Sequence, residues 1–123
     1  MIGLVVVSHS HRIAEGVVEL ARAVAGQDVR IAAAGGLDMP DSPLGTDPLR
    51  VARAIDETYS EAGVLVLMDL GSAVLSAEMA LDFIAPDRRD HVLLCEAPLV
   101  EGAVAAAVEA GLGSDLHEVA AQA

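Results

Sequence analysis

The segment Ile2-Gly3-Leu4-Val5-Val6-Val7-Ser8-His9-Ser10-His11-Arg12 opens the chain with an apolar run that stops at a histidine. A continuous apolar run of this length is typical of a strand buried on both faces, as in a parallel sheet covered by helices. His9 follows the run, so an imidazole stands at the carboxyl end of the first predicted strand. In open α/β folds, ligands and chemistry collect at the carboxyl ends of the strands. This segment therefore predicts a fold class and a candidate site together.

Three further strand-like runs follow, and helical patterns separate them. We predict strands over Ile2–Ser8, Val29–Ala34, Val64–Met68 and His91–Cys95. Regular alternation of strands and helices favours a parallel sheet with right-handed crossovers. We therefore predict an α/β fold for residues 1–123 as a single domain. Its open parallel four-stranded sheet should have the flavodoxin-like order 2-1-3-4, with helices on both faces.

The helices are predicted from apolar spacing and from capping residues. The first helix is predicted from the helical spacing of Ile13, Val17, Leu20, Ala21 and Val24, and Gly26 ends it. The expected starts of the later helices are Asp47 with Pro48, then Ser72, Pro98 and Ser114. The third helix should end before Pro86, and the fourth at about Ala110. The connection from Gly35 to Thr46 is long, which indicates either a functional loop or a tolerated insertion.

The charge balance excludes several classes of partner. The formal net charge is −12, and all seven cationic residues are arginines, since the chain contains no lysine. Such an acidic chain is not expected to bind nucleic acid or an anionic membrane. Mechanisms that need a catalytic lysine or a phosphate-binding loop lysine are excluded. The acidity fits either a solvated surface or a face that meets a basic partner protein.

The apolar runs are too short to cross a membrane, and no signal-peptide pattern follows Met1. A single cysteine, Cys95, cannot form an internal disulfide, which fits a reducing compartment. We therefore expect a cytoplasmic protein. We also expect Cys95, at the end of an apolar strand, to be a buried and unreactive thiol.

Two polar segments should converge at one crevice. In the order 2-1-3-4 the first and third strands are neighbours, so His9 should lie beside Asp69 of the segment Asp69-Leu70-Gly71-Ser72. A carboxylate beside an imidazole fixes its tautomer and leaves the other ring nitrogen as nucleophile or ligand. Two helix N-termini at the same place favour an anion. Ser8, Ser10, Gly71 and Ser72 add small side chains and backbone N–H groups to the crevice. The arrangement suits a transient phosphoryl group on His9, with Asp69 as the orienting group and Ser10, Gly71 and Ser72 as candidate phosphoryl-binding residues.

Each of these residues also has an ordinary structural explanation. A histidine at a strand end is often only solvated, and an aspartate or serine before a helix often caps a turn. The pair His9-x-His11 could chelate a metal, but only Asp69 is placed to complete such a site, so we expect no metal and no cofactor. His11, His91 and His117 are expected on the surface.

Several longer sequence motifs contain the predicted site residues or lie elsewhere along the chain. They are Leu4-Val-Val-Val-Ser-His9-Ser-x-Arg12, Glu15-Gly16, Gly36-Leu-Asp38, Pro43-Leu-Gly-Thr-Asp47, Leu67-Met-Asp-Leu-Gly-Ser-Ala-Val-Leu-Ser-Ala-Glu78 and Cys95-x-Ala-Pro-Leu-Val-Glu-Gly102. Together they span nearly the whole chain. The chain resembles the phosphotransferase subunits of phosphoenolpyruvate-dependent dihydroxyacetone kinases. The N-terminal domain of those subunits belongs with the mannose-type IIA domains of the sugar phosphotransferase system.

The resemblance implies a phosphohistidine relay. By position, His9 would accept a phosphoryl group from the phosphocarrier protein HPr, and Asp69 matches the histidine-orienting aspartate. The subunit would pass the group to ADP in the nucleotide-binding kinase subunit, and the ATP formed would phosphorylate dihydroxyacetone held by a third subunit. Such domains are usually homodimers. No further carrier domain follows in this chain, so HPr should be a separate protein unless the chain is a fragment.

Two other classes of function stay open at this point. A small chelatase-like enzyme would use His9 to bind a metal and would need a second histidine across the cleft. A non-catalytic regulatory module would need no reactive histidine. A receiver-type regulator would require an acidic cluster after the first strand and a lysine late in the chain, and neither is present.

Overall fold

A computed structural model describes all residues from 1 to 123. The strands are β1 (Gly3–Ser8), β2 (Ile31–Gly35), β3 (Val64–Met68) and β4 (Val92–Cys95). The helices are α1 (His11–Ala25), α2 (Pro48–Thr58), α3 (Gly71–Ala80), α4 (Pro86–Arg89), α5 (Leu99–Gly111) and α6 (Leu116–Gln122). A 3₁₀ turn over Leu81–Phe83 follows α3. The four strands pair in parallel in the order β2-β1-β3-β4, which confirms the predicted fold class.

The central strand β1 is buried along its whole length, because helices cover both faces of the sheet. Its alternating side chains enter two separate cores. Leu4 and Val6 pack in the core formed with α1, α5 and α6. Val5 and Val7 pack in the core formed with α2 and α3. Both cores are aliphatic and rich in alanine, which lets the helices lie close to the strands. No helix is long and apolar enough to cross a membrane.

The helix predicted from apolar spacing is confirmed as α1, but three of the residues that predicted it do not face the core. Ile13, Leu20 and Val24 are 52%, 47% and 45% exposed. The residues that α1 buries are Ala14, Val17, Val18, Ala21 and Ala25. The physical reason is close packing. A Cβ on Gly35 of β2 would lie 3.0 Å from the Cβ of Ala14, and one on Gly111 of α5 would lie 2.6 Å from the carbonyl oxygen of Ala25. Only small side chains fit between such near neighbours.

Two predicted caps are also wrong. The N-cap of α3 is Leu70 and not Ser72, which lies inside the helix. Asp69 accepts the N–H of Leu70 at 2.8 Å, so the turn forms before Ser72 is reached. The cap of α6 is Asp115 and not Ser114, because the Asp115 carboxylate accepts the N–H of Glu118 at 2.9 Å.

The remaining boundaries follow the predictions within a few residues. Asp47 caps α2 as predicted and accepts the N–H of Leu49 at 2.9 Å. The third helix ends earlier than expected, at Ala80, and the short α4 was not predicted. Arg89 holds this region together from α4, since its guanidinium donates to the carbonyl oxygens of Leu81 and Ile84.

Gly3 allows the end of α2 to pack directly on β1. A Cβ at Gly3 would lie 2.2 Å from the carbonyl oxygen of Thr58. We expect Gly3→Ala to lower the free energy of unfolding by about 1–3 kcal/mol, the usual cost of overpacking. Gly16→Ala is the matched control, because Gly16 lies inside α1 with no atom within 4 Å of an added Cβ. It should raise the free energy of unfolding by about 0.5–1 kcal/mol. Urea unfolding measures the free energy of unfolding of both variants. Equal changes in the two variants would contradict the close packing of Gly3 on Thr58.

Candidate functional site

Strand pairing places His9 and Asp69 side by side. Val7 of β1 is in register with Met68 of β3, so the residues that follow the two strands lie together at the carboxyl end of the sheet. The N–H of Asp69 donates to the carbonyl oxygen of Val7 at 3.1 Å, which extends the ladder by one bond. The structure thus brings together the two residues that the strand order predicted as neighbours.

The imidazole of His9 is held at both ring nitrogens. Nδ1 lies 3.0 Å from Oδ1 of Asp69, and Nε2 contacts the hydroxyl of Ser72. A carboxylate only accepts hydrogen bonds, so Nδ1 carries a proton, and in the neutral ring the lone pair is then on Nε2. The His9 side chain is 24% exposed, which leaves it open to a reactant from solvent. A ring held in this way can act as a nucleophile through Nε2.

The Asp69 carboxylate accepts four hydrogen bonds. Oδ1 accepts the ring N–H of His9 and the backbone N–H of Leu70. Oδ2 accepts the backbone N–H of His9 at 3.0 Å and the hydroxyl of Ser8 at 2.8 Å. Burial acts to raise the pKa of Asp69, but these donors together outweigh it and hold the pKa below its ordinary value. Asp69 is therefore a carboxylate at neutral pH.

The N-terminus of α3 lies beside Nε2 of the ring, where Ser72 contacts it. Leu70 supplies no side-chain cap, and the first N–H groups of a helix have no partner within it. Gly71 and Ser72 are exposed at this helix end. An anion beside Nε2 would therefore meet the positive end of a helix dipole.

Ser10 has a different position from the other candidates. Its hydroxyl oxygen accepts the N–H of Ile13 at 3.2 Å and so caps α1. Its own N–H donates to the hydroxyl of Ser8 at 3.1 Å. Only the hydroxyl proton of Ser10 is left to donate to a bound anion.

The long loop between β2 and α2 is tied to the site. The N–H of Gly45 donates to the carbonyl oxygen of His9 at 2.8 Å. At the start of the loop, Arg50 pairs with Asp38 and donates to the carbonyl oxygen of Gly35 at 3.2 Å. The loop therefore supports the backbone of the histidine. The sequence indicated a functional loop as one possibility but carried no sign of these contacts.

His9 lies at the surface, and other residues of the site line open clefts beside it. His9 lines none of the five cavities of the molecule. The cavity beside it, of about 220 Å³, is an open cleft between the ends of β3 and β4, and Asp69, Gly71 and Glu96 contribute to its lining. Small-molecule sites usually enclose their ligand in about 300–1,000 Å³. The cleft beside His9 is smaller than that, whereas Ser10 lines a second open cleft of about 350 Å³.

The other candidate groups lie apart from His9. His11 is exposed on the first turn of α1. His91 precedes β4 at the opposite edge of the sheet, and its Nδ1 donates to the carbonyl oxygen of Asp87 at 3.1 Å. No group of three His, Cys, Asp or Glu side chains is arranged to hold a metal ion. Cys95 is half-buried at the end of β4, and burial raises the pKa of its thiol, so it is mostly protonated at neutral pH.

Residues 3–120 match the family model described as the PTS system fructose IIA component. The chain belongs to this IIA family. The match covers the whole sheet and both segments of the site, so the resemblance inferred from the motifs is confirmed at the level of the family.

Individual relatives agree with the IIA assignment. A protein of Pantoea ananatis, "PEP-dependent dihydroxyacetone kinase, phosphoryl donor subunit DhaM", is 52% identical over 97% of this chain and 25% of its own length. The chain thus spans about a quarter of that relative. A second phosphoryl donor subunit, from Listeria innocua, is 39% identical over 89% of this chain and 86% of its own length. A crystal structure of a protein of unknown function has a TM-score of 0.85 and 40% identity, and covers 100% of this chain and 93% of its own.

The lowered pKa of Asp69 predicts a pH dependence of stability. A carboxylate whose pKa is lower in the folded state contributes stability above its unfolded-state pKa, and that contribution is lost as the pH falls. We expect Asp69→Asn to have a lower free energy of unfolding than the wild type at about pH 7, and the gap to narrow toward about pH 3. Urea unfolding at a series of pH values measures the gap. A gap of constant size would show that the Asp69 charge is not stabilised by folding.

Proposed function

We propose that this chain is a phosphohistidine carrier of a dihydroxyacetone kinase system. In this proposal Nε2 of His9 accepts a phosphoryl group from a phosphorylated HPr-type carrier protein. His9 then transfers the group to ADP bound in a nucleotide-binding kinase subunit. A third subunit, which binds dihydroxyacetone, uses the ATP so formed.

The observation that carries the proposal is the orientation of His9. Asp69 occupies Nδ1, while Nε2 points to the uncapped end of α3 at an exposed position. Relatives that share about half of their aligned residues with this chain are phosphoryl donor subunits by name, which supports the same role here. An open surface site also suits transfer between proteins, because each partner must bring its own phosphoryl group into line with the ring.

The first transfer follows from this geometry. The lone pair on Nε2 attacks phosphorus, the new N–P bond forms, and the bond from phosphorus to the donor histidine breaks. Its electron pair returns to the nitrogen of the donor. Positive charge develops on the His9 ring, and the Asp69 carboxylate stabilises it through the Nδ1–H bond. The Ser72 hydroxyl, which contacts Nε2 in the resting state, turns to donate to a phosphoryl oxygen.

The second transfer reverses these events toward another acceptor. An oxygen of the β-phosphate of ADP attacks phosphorus, the bond to Nε2 breaks, and the lone pair returns to the ring. While the phosphoryl group rests on His9, the N–H groups at Gly71 and Ser72 offset its negative charge. The hydroxyl proton of Ser10 is a further donor in this proposal. No lysine takes part, since the chain has none.

The two alternative functions receive no support from the site. A chelatase-like enzyme needs a second histidine opposite His9, whereas His91 lies at the other edge of the sheet. A purely regulatory module would give no reason for an imidazole that a carboxylate orients through Nδ1 while its Nε2 lies beside a helix N-terminus. The IIA family match likewise favours the carrier. The homodimer and the cytoplasmic location inferred from the sequence remain predictions.

Intact-mass spectrometry tests the carrier directly. The protein is incubated with phosphoenolpyruvate, enzyme I and HPr, and is kept at alkaline pH to preserve a phosphoramidate. We expect one acid-labile phosphoryl adduct on the wild type and none on His9→Ala, because Nε2 of His9 is the acceptor. His11→Ala is the matched control, since it removes an exposed imidazole two residues away, and it should be phosphorylated like the wild type.

The controls separate failure of the proposal from failure of the assay. Phosphorylated HPr must be detected in the same mixture. If HPr is phosphorylated and the wild type is not, the carrier function is wrong. An adduct that persists on His9→Ala would move the acceptor to another residue.

A further inference from the structure

We propose that Ser8 is a positioning residue, which holds the Asp69 carboxylate in the orientation that prepares His9 for phosphoryl transfer. The inference deepens the proposed function and rests on it. It assigns a role to a residue that the sequence placed in the crevice only as a small side chain. Ser8 forms no hydrogen bond with the ring and would act through Asp69.

Ser8 is a fully buried polar residue on a strand that is otherwise aliphatic. Its exposure is 0%, like that of Val7 beside it. A valine would suit a central strand better, since β-branched side chains pack well on a sheet. Burial of a hydroxyl is unfavourable unless it forms hydrogen bonds. The hydroxyl of Ser8 therefore requires a specific explanation.

Two hydrogen bonds supply that explanation. The Ser8 hydroxyl donates to Oδ2 of Asp69 at 2.8 Å and accepts the N–H of Ser10 at 3.1 Å. The donor and an acceptor site are thus both used, and the direction of the first bond is fixed because a carboxylate can only accept. Ser8 links β1, the start of α1 and the carboxylate that follows β3.

The two carboxylate oxygens have different partners. Oδ1 accepts the ring N–H of His9 and the N–H of Leu70, whereas Oδ2 is held by Ser8 and by the backbone N–H of His9. The bonds to Oδ2 add to the Leu70 bond in restraining rotation of the carboxylate about its Cβ–Cγ bond, so Oδ1 stays in line with Nδ1. Without the hydroxyl, Oδ2 keeps one donor, and the Ser10 N–H loses its acceptor. The ring is then held less firmly in the tautomer that presents a lone pair at Nε2.

The test is a double-mutant cycle on the rate of phosphoryl uptake from phosphorylated HPr. We expect Ser8→Ala to slow uptake about tenfold, the effect of losing one hydrogen bond to a charged group. In the Asp69→Asn background the same change should slow uptake less than about twofold, because Ser8 acts through Asp69. Equal slowing in both backgrounds, or no slowing in the wild type, would overturn the proposal.

Two variants control for a loss of folding. Thr58→Val removes another buried hydroxyl, which donates to the carbonyl oxygen of Ala54 at the opposite edge of the sheet, and it should leave uptake unchanged. Ser8→Thr retains the hydroxyl and should keep a faster rate than Ser8→Ala. If Thr58→Val slows uptake as much as Ser8→Ala, the effect is one of stability and the positioning role is wrong.

Nitrogen NMR of the unphosphorylated protein gives a readout that does not depend on the proposed function. In wild type, the ¹⁵N shifts of His9 should report a proton on Nδ1. In Ser8→Ala they should move toward a mixture of tautomers, and in Thr58→Val they should not move. Unchanged shifts in a folded Ser8→Ala would refute the positioning role. Absence of phosphorylation in wild type with shifted tautomers in Ser8→Ala would instead refute the carrier function alone.

Discussion

The organisation of the site depends on the four hydrogen bonds that end on the carboxylate of Asp69. They join the last residues of β1 to the turn that begins α3. A half-buried carboxylate in this position needs several donors, because burial alone favours its protonated form. Because the carboxylate of Asp69 accepts four hydrogen bonds, it stays charged. It then fixes the turn, the strand end and the histidine at once.

The sheet makes this interaction possible. β1 and β3 are neighbours only because the chain crosses over in the order β2-β1-β3-β4, and their register sets His9 against Asp69. Alanine-rich helices pack against both faces of β1. Positive potential for an anion comes from the end of α3 and not from a lysine. This solution suits an acidic chain in which arginines such as Arg50 and Arg89 are used for structural bonds.

Sequence patterns predicted the features that depend on the spacing of apolar residues and on the order of strands and helices along the chain. Apolar runs located the strands, and strand order predicted the meeting of His9 and Asp69. The patterns did not predict which face of a helix is buried or which residue caps it, because a shift of one or two residues along the chain changes both. In α1, apolar residues occur on more than one side of the helix, so the spacing of Ile13, Leu20 and Val24 is helical although these residues face outward.

The same limit explains the misplaced caps and the missed role of Ser8. Serine is a common N-cap residue, but the hydrogen bond from the N–H of Leu70 to Asp69 lets the helix begin before Ser72. The hydroxyl of Ser72 therefore does not cap the helix and contacts the ring of His9. The bonds of Ser8 join residues far apart in the chain, and their geometry depends on a side-chain rotamer. Neither these long-range bonds nor the rotamer produces a periodic pattern in the sequence. The position of His9 at a strand end and the resemblance to a known family both pointed to this histidine, whereas only the geometry shows that its Nδ1 is the nitrogen bonded to Asp69.

The most direct test of this account is the identity of the phosphorylated ring nitrogen. The protein would be labelled with ¹⁵N at histidine, phosphorylated through phosphorylated HPr, and observed by ³¹P and ¹⁵N NMR at alkaline pH. The account predicts a one-bond coupling between phosphorus and Nε2 of His9, with the proton retained on Nδ1. Coupling to Nδ1 would mean that Asp69 leaves the ring during transfer, and its carboxylate would then have no central role in the chemistry.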